Sequence, residues 1–194
     1  MRDRSEKLEV GSEKHERRML LKGAAGLAVA WMRPMRAGAQ EAKAARPAAG
    51  DLLVKVGDEG AAALTSADIT ATPMLAWPML ADGRVVRSGS RLNRIVLVRV
   101  DPTGLSERTR AAAADGVVAY SAVCTHTGCE VAAFLGDEHA LFCDCHQSKF
   151  NALDRGQVLD GPAPRPLPAL PLRVVEGRLE VAGPFSARPG AEQE

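Results

Sequence analysis

All four cysteines of the 194-residue chain, and two of its four histidines, are confined to two short stretches within residues 124–146. These are CTHTGC at 124–129 and CDCH at 143–146. Three bland arrangements are available to them. Two structural disulfides would use every cysteine, and four cysteines allow three pairings. Disulfides alone, however, require neither His126 nor His146. A zinc site built from two cysteines and two histidines is the second arrangement. Structural zinc sites space paired ligands by two to four residues and histidines by H-x3–5-H, whereas Cys124-x-His126 and Cys143-x-x-His146 fit neither. In the third the histidines are ordinary polar core residues, which leaves their symmetrical offsets from a cysteine without a cause.

The N-terminus carries its own message. Residues 1–39 hold nine Lys/Arg against five Asp/Glu, while residues 40–194 hold sixteen against nineteen. The mildly acidic body offers no basis for binding nucleic acid or an anionic membrane surface. Arg17-Arg18-Met19-Leu20-Leu21-Lys22 resembles the bacterial twin-arginine export signal, R-R-x-hydrophobic-L-K. An apolar run from Gly23 to Met32 follows, closed by Arg33 and Pro34. Crossing a membrane takes roughly 20 apolar residues, so this run is a poor permanent anchor. Ala37-Gly38-Ala39 supplies an A-x-A cleavage site, which predicts a mature chain starting at Gln40 and located in the periplasm. Membrane contact is expected only if the signal stays uncleaved. The alternative is an amphipathic surface helix with a chance arginine pair.

Residues 40–50 are Ala-rich with one proline and read as a flexible linker. The body, residues 51–183, shows short strand-like runs at Leu52–Val56, Arg94–Val100, Val117–Tyr120, Glu130–Phe134, Ala140–Phe142, Leu172–Val175 and Arg178–Val181. Glu176-Gly177 is a hairpin turn signal. A helical turn at Thr65–Asp68 and a short helix over Ser106–Ala114 are the only helical expectations. The fold class is mostly β, antiparallel, with a loop-rich insertion where the cysteines lie. The Pro-containing tail, 184–194, reads as disordered.

Cys124-Thr125-His126 with Cys143-Asp144-Cys145-His146 resembles the C-x-H…C-x-x-H pattern of the Rieske iron–sulfur proteins, most strongly over 116–171. The resemblance implies a Rieske fold, with a cluster-binding subdomain at about 121–166, and one [2Fe–2S] cluster per chain. It places Cys124 and Cys143 on an inner iron and His126 and His146 on an outer, solvent-facing one. Neutral imidazoles in place of two thiolates remove two negative charges. Reduction becomes easier, and such clusters sit at roughly −150 to +300 mV against about −400 mV for all-cysteine plant-type ones. Cys129 and Cys145 match the positions that form a disulfide in cytochrome bc-type members. That bridge would close a loop of about 15 residues, worth about 3 kcal/mol on a chain-entropy estimate. Gly161-Pro162-Ala163-Pro164 is similar to the proline loop that covers the cluster in the same members.

Departures from the bc-type pattern bear on function. Thr127 stands where those proteins have Leu, Asp144 for Pro, Gln147 for Gly and Phe150 for Tyr. Ser148 is retained, and the resemblance implies that its hydroxyl donates to a bridging sulfide. The apolar residue at position 127 belongs to a quinol-docking surface in the family, so Thr127 weakens a quinol-oxidising role. H-x-S-x-F, Val118–Ser121 and Trp77-Pro78 are similar instead to the small subunit of arsenite oxidase, although Trp77 reads equally as a packed core aromatic. The expectation is a periplasmic electron-transfer protein, the small subunit or soluble partner of an oxidoreductase. It would take single electrons from a catalytic partner, such as a molybdenum-containing large subunit, and pass them to a c-type cytochrome, with no substrate site of its own. The alternative is a membrane-anchored Rieske subunit of a quinol:cytochrome c oxidoreductase.

Overall fold

Strand β3 (Ile95–Arg99) opens with four apolar residues, Ile95–Val98, because both of its faces are buried there. In a strand, successive side chains point to opposite faces. Val96 and Val98 therefore enter one core, while Ile95 and Leu97 enter another. Its neighbour β4 (Val117–Ser121) repeats the division, with Val118 and Tyr120 on the first side and Val117 and Ala119 on the second. The computed structural model describes residues 38–58, 60, 62–82 and 85–191. The signal expected up to Ala39, with Arg17 and Arg18, lies almost wholly outside them. The compact unit begins at Glu41.

Among the described residues, ten strands form two antiparallel sheets. The larger runs in the order β4-β3-β2-β1-β10-β9, where β1 is Leu52–Lys55, β2 Met74–Met79, β9 Leu172–Val175 and β10 Arg178–Val181. The smaller runs β5-β6-β7-β8, from Ala133–Leu135, Ala140–Cys143, Ser148–Asn151 and Gln157–Asp160. In chain order the small sheet is an insertion between β4 and β9, and it falls within the stretch, about 121–166, where a cluster-binding subdomain is expected. The sheets share the first core, where Val96, Val98 and Tyr120 meet Leu141, Phe150 and Leu167. Tyr120 also donates from its hydroxyl to the Ala152 carbonyl at 2.9 Å, a polar tie between the large sheet and the turn after β7. Burial pushes its phenol far up, so it acts as a neutral donor throughout the useful pH range.

Three strands lie outside the runs expected from the sequence, and the run expected at Glu130–Phe134 is a strand only at Ala133–Leu135. β2 contains Pro78, which argues against a strand because proline lacks a ladder donor. Here Pro78 pairs with Leu53, whose carbonyl is already taken by Leu64 N at 2.8 Å, so β1 requires no donor at that position. β7 and β8 are four residues each and largely polar, and pairing with β6 and with each other defines them. The helix expected over Ser106–Ala114 is capped where anticipated, with Ser106 Oγ accepting from Thr109 N at 3.3 Å. It ends at Arg110, and Ala114 already bridges Val117 across the Asp115-Gly116 turn. The Glu176-Gly177 hairpin has positive φ at both residues, +51° and +79°, as a tight primed turn requires.

Two segments read as loose are held in place. Residues 41–44 are helical, Lys43 O accepts from Gly89 N at 2.9 Å, and the Asn93 amide donates to Ala45 O at 2.7 Å. Asp51 then forms a two-pronged ion pair with Arg87 at 2.7 and 3.0 Å, with the residues only 3% and 8% exposed. The expected flexible linker is thus docked from residue 41 onward. The tail expected to be disordered packs Phe185 against the second core. Ser186 N donates to Ala169 O at 2.8 Å, and Arg165 holds the Arg188 carbonyl at 2.9 Å. One half-buried aromatic and a few hydrogen bonds outweigh what an Ala/Pro/Gly composition suggests.

Removing one partner of a buried ion pair strands the other charge and costs about 3–5 kcal/mol. Asp51→Asn should therefore lower the unfolding free energy by that order in urea denaturation followed by circular dichroism. An unchanged midpoint would show that Arg87 finds water instead.

Candidate metal centre

The first cysteine stretch leaves β4 and closes on itself. Cys124 N donates to Cys129 O at 2.8 Å and Gly128 N to Cys124 O at 3.0 Å, while Val123 bridges Glu130. That tight path needs φ +82° at residue 128, a left-handed value that glycine adopts freely. The second stretch is the turn joining β6 to β7, where Cys143 at the end of one strand pairs with Ser148 at the start of the next. Cys129 and Cys145 are joined as a disulfide with Cα atoms 6.4 Å apart, which ties the two loops.

That bond decides which cysteines remain. Cys124 and Cys143 are free and buried, in the same core cluster as Val131, Leu141 and Phe150. The sulfurs of Cys129, Cys143 and Cys145 lie within 4.8 Å of one another, so the disulfide rests against the Cys143 sulfur. The bridged pair offers no thiolate, and the ligand sulfurs available are those of Cys124 and Cys143. Burial, with the neighbouring Cys124 thiol, pushes the Cys143 thiol up. A buried anion needs a cation beside it, and a metal centre supplies one.

His126 and His146, one from each loop, meet edge to face with ring centroids 4.6 Å apart. His126 is half-buried and His146 exposed, so the imidazoles form the solvent side and the thiols the inner side. Two polar atoms in the site are buried without a protein partner, His126 Nδ1 and Ser148 Oγ. Buried polar groups are almost always satisfied, and both orphans fit a bound group between the loops. Thr125, between Cys124 and His126, is fully buried and donates from Oγ1 to Arg165 O at 2.8 Å.

The proline loop covers the second stretch. Gly161 has φ +88°, and a Cβ there would stand 2.6 Å from Ser148 Cα and 2.8 Å from Gln147 O. The loop therefore lies directly on the backbone before β7, with Pro162 exposed and Ala163 buried in the core. Leu159, just before it, is 49% exposed. Phe150 is fully buried opposite Leu141 and has no donor to offer. Thr127 is exposed. Gln147 takes φ +59°, a left-handed conformation that a residue with a side chain adopts at a cost. The arginines around the first loop escaped sequence reading. Arg91 donates to the Gly128 carbonyl at 2.8 Å, and Arg94 pairs with Glu130 while lying over the Trp77 ring. No local pattern marks contacts that span some 37 residues of chain.

Residues 80–171 match the Rieske [2Fe–2S] domain. A cytochrome bc1 complex Rieske iron–sulfur subunit from Streptomyces lividans is 37% identical over 93 residues, which are 47% of this chain and 55% of that one. A Haloferax mediterranei protein, provisionally described as the Rieske subunit of a respiratory nitrate reductase, is 43% identical over 76 residues, 39% of this chain and 34% of that one. The soluble domain of Rieske protein II from Sulfolobus acidocaldarius aligns with a TM-score of 0.37 and 24% identity, over 48% of this chain and 65% of that one. Over residues 80–171 the chain is a Rieske iron–sulfur domain, which binds a [2Fe–2S] cluster. It spans about half the length, or less, of the curated relatives it matches.

The loop contacts make two substitutions informative. Gln147→Gly should relieve a left-handed strain of about 1–2 kcal/mol, partly offset by about 0.5–1 kcal/mol of glycine's chain entropy, so thermal unfolding should rise slightly. Gly161→Ala should do the opposite and hasten iron release to a chelator, because its Cβ meets backbone. If Gly161→Ala releases iron at the native rate, the proline loop is not packed on Ser148.

Proposed function

We propose that this protein is a one-electron carrier whose cluster is held by Cys124 and Cys143 on the buried side and by His126 and His146 on the exposed side. The observation that carries the assignment is the pairing of two free buried thiols with two facing imidazoles, on loops joined by Cys129–Cys145. Once bound, the cluster supplies a single-electron couple at a potential raised by its neutral ligands. The chain's own residues do the rest. The core around Cys124 and Cys143 excludes water from the sulfur side, and the disulfide and proline loop keep the two ligand stretches from separating. Ser148 Oγ, lacking a protein acceptor, is available to donate to cluster sulfur, which favours the reduced state.

The partner we propose is a larger redox complex of an exported oxidoreductase. The chain would take electrons from a catalytic subunit, of the molybdenum-containing arsenite oxidase kind, and deliver them to a c-type cytochrome. The polar, exposed Thr127 supports this reading, since a quinol pocket favours an apolar surface. The resemblance to bc1 subunits supports a second reading, a Rieske subunit of a quinol:cytochrome c oxidoreductase. Among the described residues no helix is long and apolar enough to cross a membrane. Molybdenum copurifying with the native complex supports the first reading, and quinol-dependent cytochrome c reduction the second. Export through Arg17 and Arg18 is part of the proposal. Changing both to Lys should leave the precursor in the cytoplasm, whereas unchanged delivery to the periplasm would rule out the twin-arginine route.

The ligand assignment predicts two irons and two labile sulfides per chain. It also predicts a reduced-state electron paramagnetic resonance signal with average g below that of all-cysteine [2Fe–2S] proteins. Cys143→Ser and His146→Ala should each abolish that signal, and stoichiometric zinc in the native protein would refute the assignment. Ser148→Ala should lower the midpoint potential by some tens of millivolts, where about 59 mV is tenfold in a one-electron equilibrium. Phe150→Tyr should raise it if the new hydroxyl reaches ligand sulfur. No shift would mean that position 150 only fills the core.

A further inference from the structure

We infer that Arg91 is a positioning residue for the loop bearing Cys124 and His126, and that its guanidinium makes the bound centre easier to reduce. The inference rests on the ligand assignment proposed above.

Arg91 stands on a rigid base. It opens a one-turn helix, Arg91–Asn93, capped by Ser90 Oγ accepting from Leu92 N at 3.3 Å. Asn93 is almost fully buried, and its amide donates to the carbonyls of Ala45 at 2.7 Å and Arg87 at 3.1 Å. From that base the side chain reaches Gly128, where Nη2 donates to the carbonyl at 2.8 Å. A Cβ on Gly128 would lie 2.3 Å from the same nitrogen. The guanidinium thus occupies the space left by the missing side chain and presses on the loop at its left-handed residue.

The loop's internal bonds explain why this grip matters. Gly128 N holds Cys124 O, and Cys129 O accepts from Cys124 N. Gly128 is therefore bonded to the ligand Cys124 from within and to the large sheet's connecting segment from outside. Charge is the second consequence. Arg94, the other arginine on this loop, is neutralised by Glu130. Arg91 makes no ion pair among the described residues, so a net positive charge sits on a carbonyl of the ligand loop. Adding an electron adds a negative charge, and an unpaired cation nearby favours that state, less so in high salt because Arg91 is solvent-exposed.

The experiment uses the full chain purified with its cluster, and compares Arg91→Met, which removes donor and charge, with Arg91→Lys, which keeps the charge. Midpoint potential in low salt, iron release to a chelator and amide exchange at Gly128 are measured for each. Arg91→Met should move the one-electron equilibrium about threefold to tenfold toward the oxidised form, tenfold being about 59 mV. It should also speed iron release and Gly128 exchange several-fold. Arg91→Lys should keep the native potential while exchanging faster than native. A loaded Arg91→Met protein with native potential, release and exchange overturns the inference and leaves the ligand assignment standing. A potential as low in Arg91→Lys as in Arg91→Met overturns the charge effect. Native protein that shows no Rieske resonance signal overturns the ligand assignment and this inference with it.

Discussion

Two buried thiols and two imidazoles can hold one centre only if loops from different parts of the chain stay together, and the Cys129–Cys145 bond is what keeps them so. It joins the loop that leaves the large sheet to the turn between two strands of the small one. Without it the first loop is closed by its own hydrogen bonds and by contacts at its edges, while the second is only a hairpin turn. The bond also removes two cysteines from competition, leaving one buried thiol per loop. Crosslinking of this kind is stable in an oxidising compartment, which agrees with the proposed export.

The rest of the fold serves that junction. β3 and β4 face two cores at once, so the strand that delivers Cys124 is immobilised from both sides. Phe150 and Leu141 extend the shared core beneath Cys143, and Tyr120 adds its bond to Ala152. The proline loop and the tail complete the enclosure by an indirect route. Arg165 grips the tail's carbonyls with its side chain, while its own carbonyl accepts from Thr125, between Cys124 and His126. Arg165 thereby joins the tail to the first cysteine stretch.

The site was far more legible in the sequence than its supports. C-x-H and C-x-x-H name the four candidate ligands because metal chemistry demands particular side chains at close spacing, and spacing survives in the linear order. β3, β9 and β10 were equally readable, since their apolar residues have few alternatives to burial. β2, β7 and β8 were not, because Pro78 and the polar residues of β7 are tolerated only through the partners they find. Ala45, Gly89 and Asn93 hold the N-terminal segment by backbone and amide contacts with no compositional trace. Phe185 alone in a tail of small residues carried the information that the tail docks, and composition averaged it away.

Position 147 shows how a departure from the family pattern can be weighed. Gln147 takes the left-handed backbone that glycine takes freely, so the hairpin geometry is imposed from outside rather than chosen by that residue. What imposes it is visible on both sides: the Cys143–Ser148 pairing, and Gly161 pressed against the Gln147 carbonyl and Ser148 Cα. A site that tolerates strain at 147 must depend more heavily on the proline loop than one with glycine there. Geometry and tuning fall largely to different residues. On the proposed ligand assignment, positions 147 and 161 bear on whether the ligands meet, the hydroxyl of Ser148 and its absence at Phe150 bear on how readily the assembled centre accepts an electron, and Arg91 bears on both. Sequence change at positions 148 or 150 would therefore shift the potential toward a new partner without disturbing the assembly of the site.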